Sequence, residues 1–337
     1  MHSSTDMLVD LASERVGGAV IAANDDFFGP KEYLIKDTAP EWREGEYTPK
    51  GKWMDGWETR RRREPGHDWA IVSLGLRGIV RHLIVDTSYF TGNYPEASSV
   101  ELIDLPGKPD LVELARDPAR WSTIVDRSLL RGNDLNEFPV DNHAHAVSHI
   151  RLIIFPDGGV ARLRVLGDPV PPDGLLDGVT EVDLAALSSG ARAIDCSDRH
   201  YSSPNRMLVA GKPRGMWDGW ETKRRRGPGN DWAVIRLAGR GEISRLEIDT
   251  THFKGNAPGS AQVEAIAAPT ASLGDLRFAE WAPVLPETPL EPHRRHKFVD
   301  LDSIGAVTHL RLNIHPDGGI ARFRAFGTSD TPWTSER

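Results

Sequence analysis

One block of this chain occurs twice. Asp55-Gly56-Trp57-Glu58-Thr59, an arginine run ending at Arg63 and then Pro65-Gly66-His67-Asp68-Trp69 return 163 residues later (55 to 218) as Asp218-Gly219-Trp220-Glu221-Thr222, a run ending at Arg226 and Pro228-Gly229-Asn230-Asp231-Trp232. At the same offset Asp86-Thr87-Ser88-Tyr89-Phe90-Thr91-Gly92-Asn93 answers to Asp249-Thr250-Thr251-His252-Phe253-Lys254-Gly255-Asn256. After a small deletion the copies meet again at His149-Ile150-Arg151-Leu152 and His309-Leu310-Arg311-Leu312, and each closes on Pro-Asp-Gly-Gly at 156–159 and 316–319. A repeat this long is a domain, far above the roughly 20–50-residue unit of a solenoid or propeller. The chain of 337 residues therefore divides into two domains, 1–172 and 173–337, joined by the proline- and glycine-rich stretch 167–174. Each is large enough to bury a core unaided.

Most of each copy has strand period. Ile150, Leu152 and Ile154 alternate with Arg151 and Ile153, which predicts a strand buried on both faces. Pro156-Asp157-Gly158-Gly159 reads as a hairpin turn leading into Arg162-Leu163-Arg164-Val165, and the second copy repeats it with Arg322, Phe323 and Arg324. Short strands at 69–74, 79–85 and 100–103, separated by glycine and proline, predict an all-β protein of two tandem β-sandwiches of jelly-roll type. Asp10-Leu11-Ala12 and Asp183-Leu184-Ala185, each followed by a glycine, predict a short helix or an edge strand opening each copy.

With 41 basic and 49 acidic residues and a net charge of -8, the chain is not built to bind nucleic acid or an anionic membrane. Cys196 is the single cysteine, which excludes an intrachain disulfide and a thiolate metal cluster and suits a reducing compartment. The N-terminus lacks the apolar stretch of a secretory signal, and no segment has membrane-spanning length. These features predict a cytoplasmic protein.

The segment 55–69 is too charged for a central strand yet carries two tryptophans, which suits a loop lining a cleft. Trp57 and Trp69 would supply flat walls, Glu58 and Asp68 acceptors, and an arginine fork would hold a small planar anion through two parallel bonds. The same loop offers Arg61 and His67, and in the second copy Trp220, Arg224 and Arg226. The copies differ, since His67 matches Asn230, Tyr89 matches His252 and Thr91 matches Lys254, so any two sites are unequal. His149 and His309 read as structural, and Asp86 and Asp249 as turn caps. The pairs His143/His145 and His293/His296 lack carboxylates at a ligand spacing, so no metal site is called and no cofactor; a divalent ion such as manganese is not signalled.

The tandem Asp218-Gly219-Trp220-Glu221-Thr222 with Arg224-Arg225-Arg226, the stretch 249–256 and Arg311-Leu312-Asn313-Ile314-His315-Pro316-Asp317-Gly318-Gly319 closely resemble the allantoicase family, in both repeats and over nearly the whole chain. The resemblance implies two jelly-roll domains of the galactose-binding-like type, a homo-oligomer, and conversion of allantoate and water to ureidoglycolate and urea. Allantoate carries one carboxylate and two ureido groups on a single carbon. Arg224, Arg226 and Lys254 then become candidates for the anion, Asn256 and Glu221 for the ureido N–H groups, Glu221 or Asp231 for the base and His252 for the acid. A tandem carbohydrate-binding or interaction module without catalysis is the alternative, and the arginine density argues against neutral sugars.

Overall fold

The computed structural model describes residues 7–105, 114, 120–141 and 143–332. The chain forms two compact units that divide between Asp168 and Pro169, slightly before the boundary expected at Pro172. Gly167, expected in the linker, lies within a strand and pairs with Val9. Met7 groups with the C-terminal unit, where its carbonyl accepts from Asn205 Nδ2 at 3.0 Å.

The N-terminal unit contains β1 (Val9–Asp10), β2 (Ala19–Ala23), β3 (Tyr47–Thr48), β4 (Gly51–Lys52), β5 (Trp57–Glu58), β6 (Asp68–Asp86), β7 (Ala97–Ile103), β8 (Ser122–Leu129), β9 (Leu135–Pro139), β10 (Val147–Phe155), β11 (Gly159–Val160) and β12 (Arg162–Pro169). Its main sheet has eight strands in the order β1-β12-β6-β10-β7-β8, with β2 and β9 also pairing with β6. The C-terminal unit repeats this plan with β13 (Val182–Asp183), β14 (Arg192–Cys196), β15 (Trp220–Glu221), β16 (Asp231–Asp249), β17 (Ser260–Ile266), β18 (Ala282–Pro289), β19 (Arg295–Phe298), β20 (Val307–His315), β21 (Gly319–Ile320) and β22 (Arg322–Pro332). Its eight-stranded order is β13-β22-β16-β20-β17-β18, with β14 and β19 on β16. The all-β duplicated reading is confirmed.

Two expected strands, 69–74 and 79–85, are one 19-residue strand, β6. Its counterpart β16 shows why it is so long. Residues 231–236 pair with β20, residues 239–249 pair chiefly with β22, and the register shifts between Arg236 and Gly241. A strand that changes partners at such a bend serves both layers of a packed sheet structure. Gly75 is a close-approach residue here, because a Cβ on it would sit 2.4 Å from the Gly18 nitrogen.

The Pro-Asp-Gly-Gly segment is not the tight hairpin its sequence suggests. Strands β10 and β12 flank β6 without pairing with each other, while β11 runs antiparallel to β5, Val160 opposite Trp57. The segment's polar groups are drawn to the loop 57–62: Gly158 O accepts from Thr59 N at 3.1 Å, and Asp157 Oδ2 from Arg62 N at 2.9 Å. The leads at 10–12 and 183–185 are edge strands that run into single 3-10 turns, Glu14–Val16 and Leu187–Ser189, each ended by a glycine at φ 101°. A short helix, α1 (Leu273–Phe278), escaped the strand-period reading. Ser272 and Asp275 cap it reciprocally, and Leu276 packs on Ile194 and Val234.

His149 and His309 are buried, as expected of structural histidines, and each Nδ1 faces the preceding hydroxyl at 2.9 Å, Ser148 Oγ and Thr308 Oγ1. Burial, with repulsion from Arg236 added, pushes the His309 imidazole down from 6.5 to about 4. A group held neutral in the fold and free to charge when unfolded gives stability that is whole above pH 6.5 and is lost as pH falls toward 4. Burial raises the Asp183 carboxyl to about 6, and its contribution has the opposite sign, being lost as pH rises through that value. The informative quantity is therefore a difference. Between pH 7 and 4 the Tm advantage of the wild type over His309→Gln is expected to shrink, and a constant gap would refute the assignment.

Candidate active site

The repeated Asp-Gly-Trp-Glu-Thr motif is mostly scaffold. Arg162 is fully buried and all five of its N–H bonds are used: Nε on Thr38 O (3.0 Å), Nη1 on the carbonyls of Asp55 (2.9 Å) and Ala161 (2.7 Å), Nη2 on Ala39 O (3.4 Å) and Asp55 Oδ2 (2.6 Å). Arg322 repeats the arrangement on Gly211, Asp218, Ala321 and Lys212, again with 2.6 Å to the Asp218 carboxylate. Trp57 and Trp220 are wholly buried and donate their indole N–H to Asp25 O (2.8 Å) and Asp198 O (2.9 Å). Thr59 and Thr222 Oγ1 accept from Gly158 N (3.1 Å) and Gly318 N (3.0 Å). Of the five motif residues, only the glutamate is left outside the buried interior.

That glutamate meets the asparagine that ends the second motif. Asn93 Nδ2 donates to Glu58 Oε1 at 2.8 Å, and Asn256 Nδ2 to Glu221 Oε1 at 2.6 Å. The intervening loop is fixed by Asp86 and Asp249, whose Oδ1 atoms each accept a backbone N–H two residues on at 2.8 Å. The turn-cap reading of these aspartates holds. Tyr89 and His252 occupy matching positions at positive φ, 69° and 75°.

Around Glu58 the N-terminal unit forms a cavity of about 230 Å³ lined by Phe28, Trp42, Gly51, Lys52, Met54, Glu58, Tyr89, Thr91 and Asn93. Burial raises the Glu58 carboxyl above its ordinary value, and the Asn93 hydrogen bond only partly offsets this. Gly51 and Lys52 in this wall form β4, which pairs with β3 in a small hairpin outside the main sheet, with Tyr47 opposite Lys52. The Lys52 ammonium lies 4.0 Å from the centre of the Trp42 ring, and Trp42 is 5.8 Å from Tyr89. Asp25 and Trp57 are 32 residues apart, whereas their counterparts Asp198 and Trp220 are 22 apart. The hairpin thus occupies ten residues (32 − 22) that the C-terminal unit does not have.

A family model described as the allantoicase repeat matches residues 9–170 and again 182–330. A "probable allantoicase" of Nocardia farcinica is 47% identical over 321 residues, covering 95% of this chain and 94% of that protein. One of Photobacterium profundum is 43% identical, over 95% and 96%. The solved allantoicase from Saccharomyces cerevisiae superposes with a TM-score of 0.80 at 34% identity, covering 95% of this chain and 92% of that one. The chain belongs to the allantoicase family.

For this allantoicase family member, the sequence-derived residues fall into three groups. Glu58 with Asn93, and Glu221 with Asn256, are brought together. Trp57 and Trp220 are not cleft walls, because both indoles are wholly buried; glycines 56 and 219 let the motif lie close against the backbone of Val160 and Ile320. Trp69 packs on the core of Ile71, Leu114 and Trp121. Asp231 is buried, ion-paired with Arg225 and held by Ser197 Oγ at 2.9 Å. Both contacts fall on Oδ1, as the Arg62 contact of Asp68 falls on its Oδ1 at 2.6 Å. Arg61, Arg224, Arg226 and Lys254 are exposed. His67 is exposed and tilts over Phe155, their ring centres 5.5 Å apart. His252 has Nε2 3.1 Å from Pro213 O, and its backbone N–H donates to His293 Nδ1 at 2.8 Å. A carbonyl only accepts, so Nε2 carries the proton. No hydrogen bond among the described residues joins His252 to Glu221.

Trp42, Lys52, Met54 and Phe28 were not anticipated. For Trp42, Lys52 and Met54 the signal was the change of repeat offset from 173 at Pro40/Pro213 to 163 at Asp55/Asp218. Among the described residues no group of three His, Cys, Asp or Glu side chains is placed to hold a metal ion. Removing one partner of a buried ion pair strands the other, at about 3–5 kcal/mol. Arg322→Met should therefore lower the unfolding free energy by about that amount in denaturant titrations, and Arg224→Met, on the surface, by less than about 0.5 kcal/mol. Equal effects would remove the scaffold role.

Proposed function

We infer that this chain hydrolyses allantoate to ureidoglycolate and urea, as a hydrolase of a linear amidine-type C–N bond, and that the chemistry takes place in the Glu58 cavity. The observation that carries the reading is family membership along 95% of the chain, and the cavity supplies matching chemistry. Urea leaves well only if its departing nitrogen gains a proton, and the attacking water must lose one. A carboxyl whose proton affinity is raised by burial can do both in turn. The water oxygen bonds to the central carbon, the bond from that carbon to one ureido nitrogen breaks, and the water's proton passes through Glu58 to that nitrogen. Asn93 holds Oε1, which leaves Oε2 for the transfer. The second Glu–Asn pair, Glu221 with Asn256, has the same groups without the added hairpin, and His252 in place of Tyr89.

We assign each unit to the jelly-roll sandwich of the galactose-binding-like type; the bent 19-residue strand and the family resemblance support this. A homo-oligomer working in the cytoplasm is part of the same proposal. Cys196, buried and pushed up to about 12 by that burial, suits a reducing compartment.

The test is urea and ureidoglycolate release from allantoate by the purified protein, with and without chelator and added manganese. Stoichiometric products are expected. Glu58→Gln should lower kcat/KM by roughly a hundredfold or more, and Glu221→Gln by less than about tenfold. The reverse order would place turnover in the C-terminal unit. Glycan binding without urea release would favour a tandem binding module.

A further inference from the structure

The cavity lining holds one carboxylate, Glu58, and one cation, Lys52. Several basic residues near this cavity are already matched with acids. Lys36 sits 2.7 Å from Asp55, Arg60 2.6 Å from Asp25, Arg62 2.6 Å from Asp68, Lys31 2.7 Å from Glu32, and Arg43 lies between Glu41 and Glu46. Lys52 has no acidic partner among the described residues and rests instead on the Trp42 ring. A cation stabilised by a ring face keeps its charge while its N–H donors stay free for an anion. An ammonium without a counter-carboxylate, in a cavity that also holds the carboxyl of Glu58 hydrogen-bonded to Asn93, fits a ligand with an anionic group at one end and N–H groups at the other.

We propose that Lys52 is the substrate-carboxylate anchor of this site and that Trp42 positions it. The arginines suggested by the sequence are not that anchor. Specificity for a carboxylated ureide then resides in the ten-residue insertion carried by the N-terminal repeat alone. This rests on the reading of the Glu58 cavity as the site of ureide hydrolysis. Lys52 Nζ would donate to the carboxylate while the ureido group to be released lies toward Glu58. The cation changes neither charge nor bonding during the reaction, so its loss should appear in binding of the ground state rather than in the chemical step.

The experiment uses the full chain and two ligands, allantoate and its uncharged carboxamide. Lys52→Met should raise KM for allantoate roughly 10- to 100-fold, the range for a lost charge-assisted hydrogen bond, with kcat within about threefold. Lys52→Arg should recover part of the loss. Lys50→Met, which removes the same charge at the hairpin turn, should leave KM unchanged. The carboxamide, followed by calorimetry, should bind wild type and Lys52→Met alike, which a merely misfolded hairpin would not allow. Wild-type turnover together with an unchanged KM in Lys52→Met overturns the anchor and leaves the function standing. An equal loss of the carboxamide overturns it also, by showing a structural effect. A wild type that neither binds nor hydrolyses allantoate overturns both.

Discussion

In each repeat a guanidinium removed from water is satisfied only because the chain wraps around it. Arg162 and Arg322 each spend five donors on four carbonyls and one carboxylate. Those acceptors come from three separate places: the stretch before the site loop, the aspartate that opens the motif, and the alanine just before the arginine itself. Leaving any of them unpaired would cost far more than an ordinary lost hydrogen bond, because the charge is buried. The position of the glutamate three residues beyond the aspartate follows from this clamp. So does the burial of the tryptophan between them, whose N–H finds a carbonyl rather than a ligand.

The fold was legible because duplication doubles every signal. Strand period, the Asp-Gly-Trp motif and the length of the repeat all point to two all-β units. What misled was local chemistry with a long-range owner. Asp157-Gly158 has the composition of a hairpin turn, but its carboxylate and carbonyl are taken by Arg62 and Thr59. Gly75 and Gly78 read as strand breaks, whereas they admit neighbouring backbone to an unbroken strand.

The site was only half legible. Glu58, Glu221 and Asn256 stood out because they recur in polar loops. The tryptophans and arginines recur just as faithfully, and in them recurrence marks scaffold. Sequence alone gives no way to tell a buried indole from an exposed one when both sit among charges. The residues that distinguish the two units lie where the repeat fails. An insertion has no counterpart to be compared with, so Trp42 and Lys52 were passed over although they border the cavity.

The hairpin that walls the Glu58 cavity leaves and re-enters the fold at points held alike in both repeats. On one side are the carbonyls of Thr38 and Ala39, matched by Gly211 and Lys212; on the other is the clamped aspartate. Its two short strands pair with each other and with no strand of the main sheet. Such a segment is a cassette. Residues 40–54 could replace residues 213–217 without disturbing either anchor, so a duplicated scaffold of this kind can gain or shed a cavity wall in one half while the other half keeps the architecture.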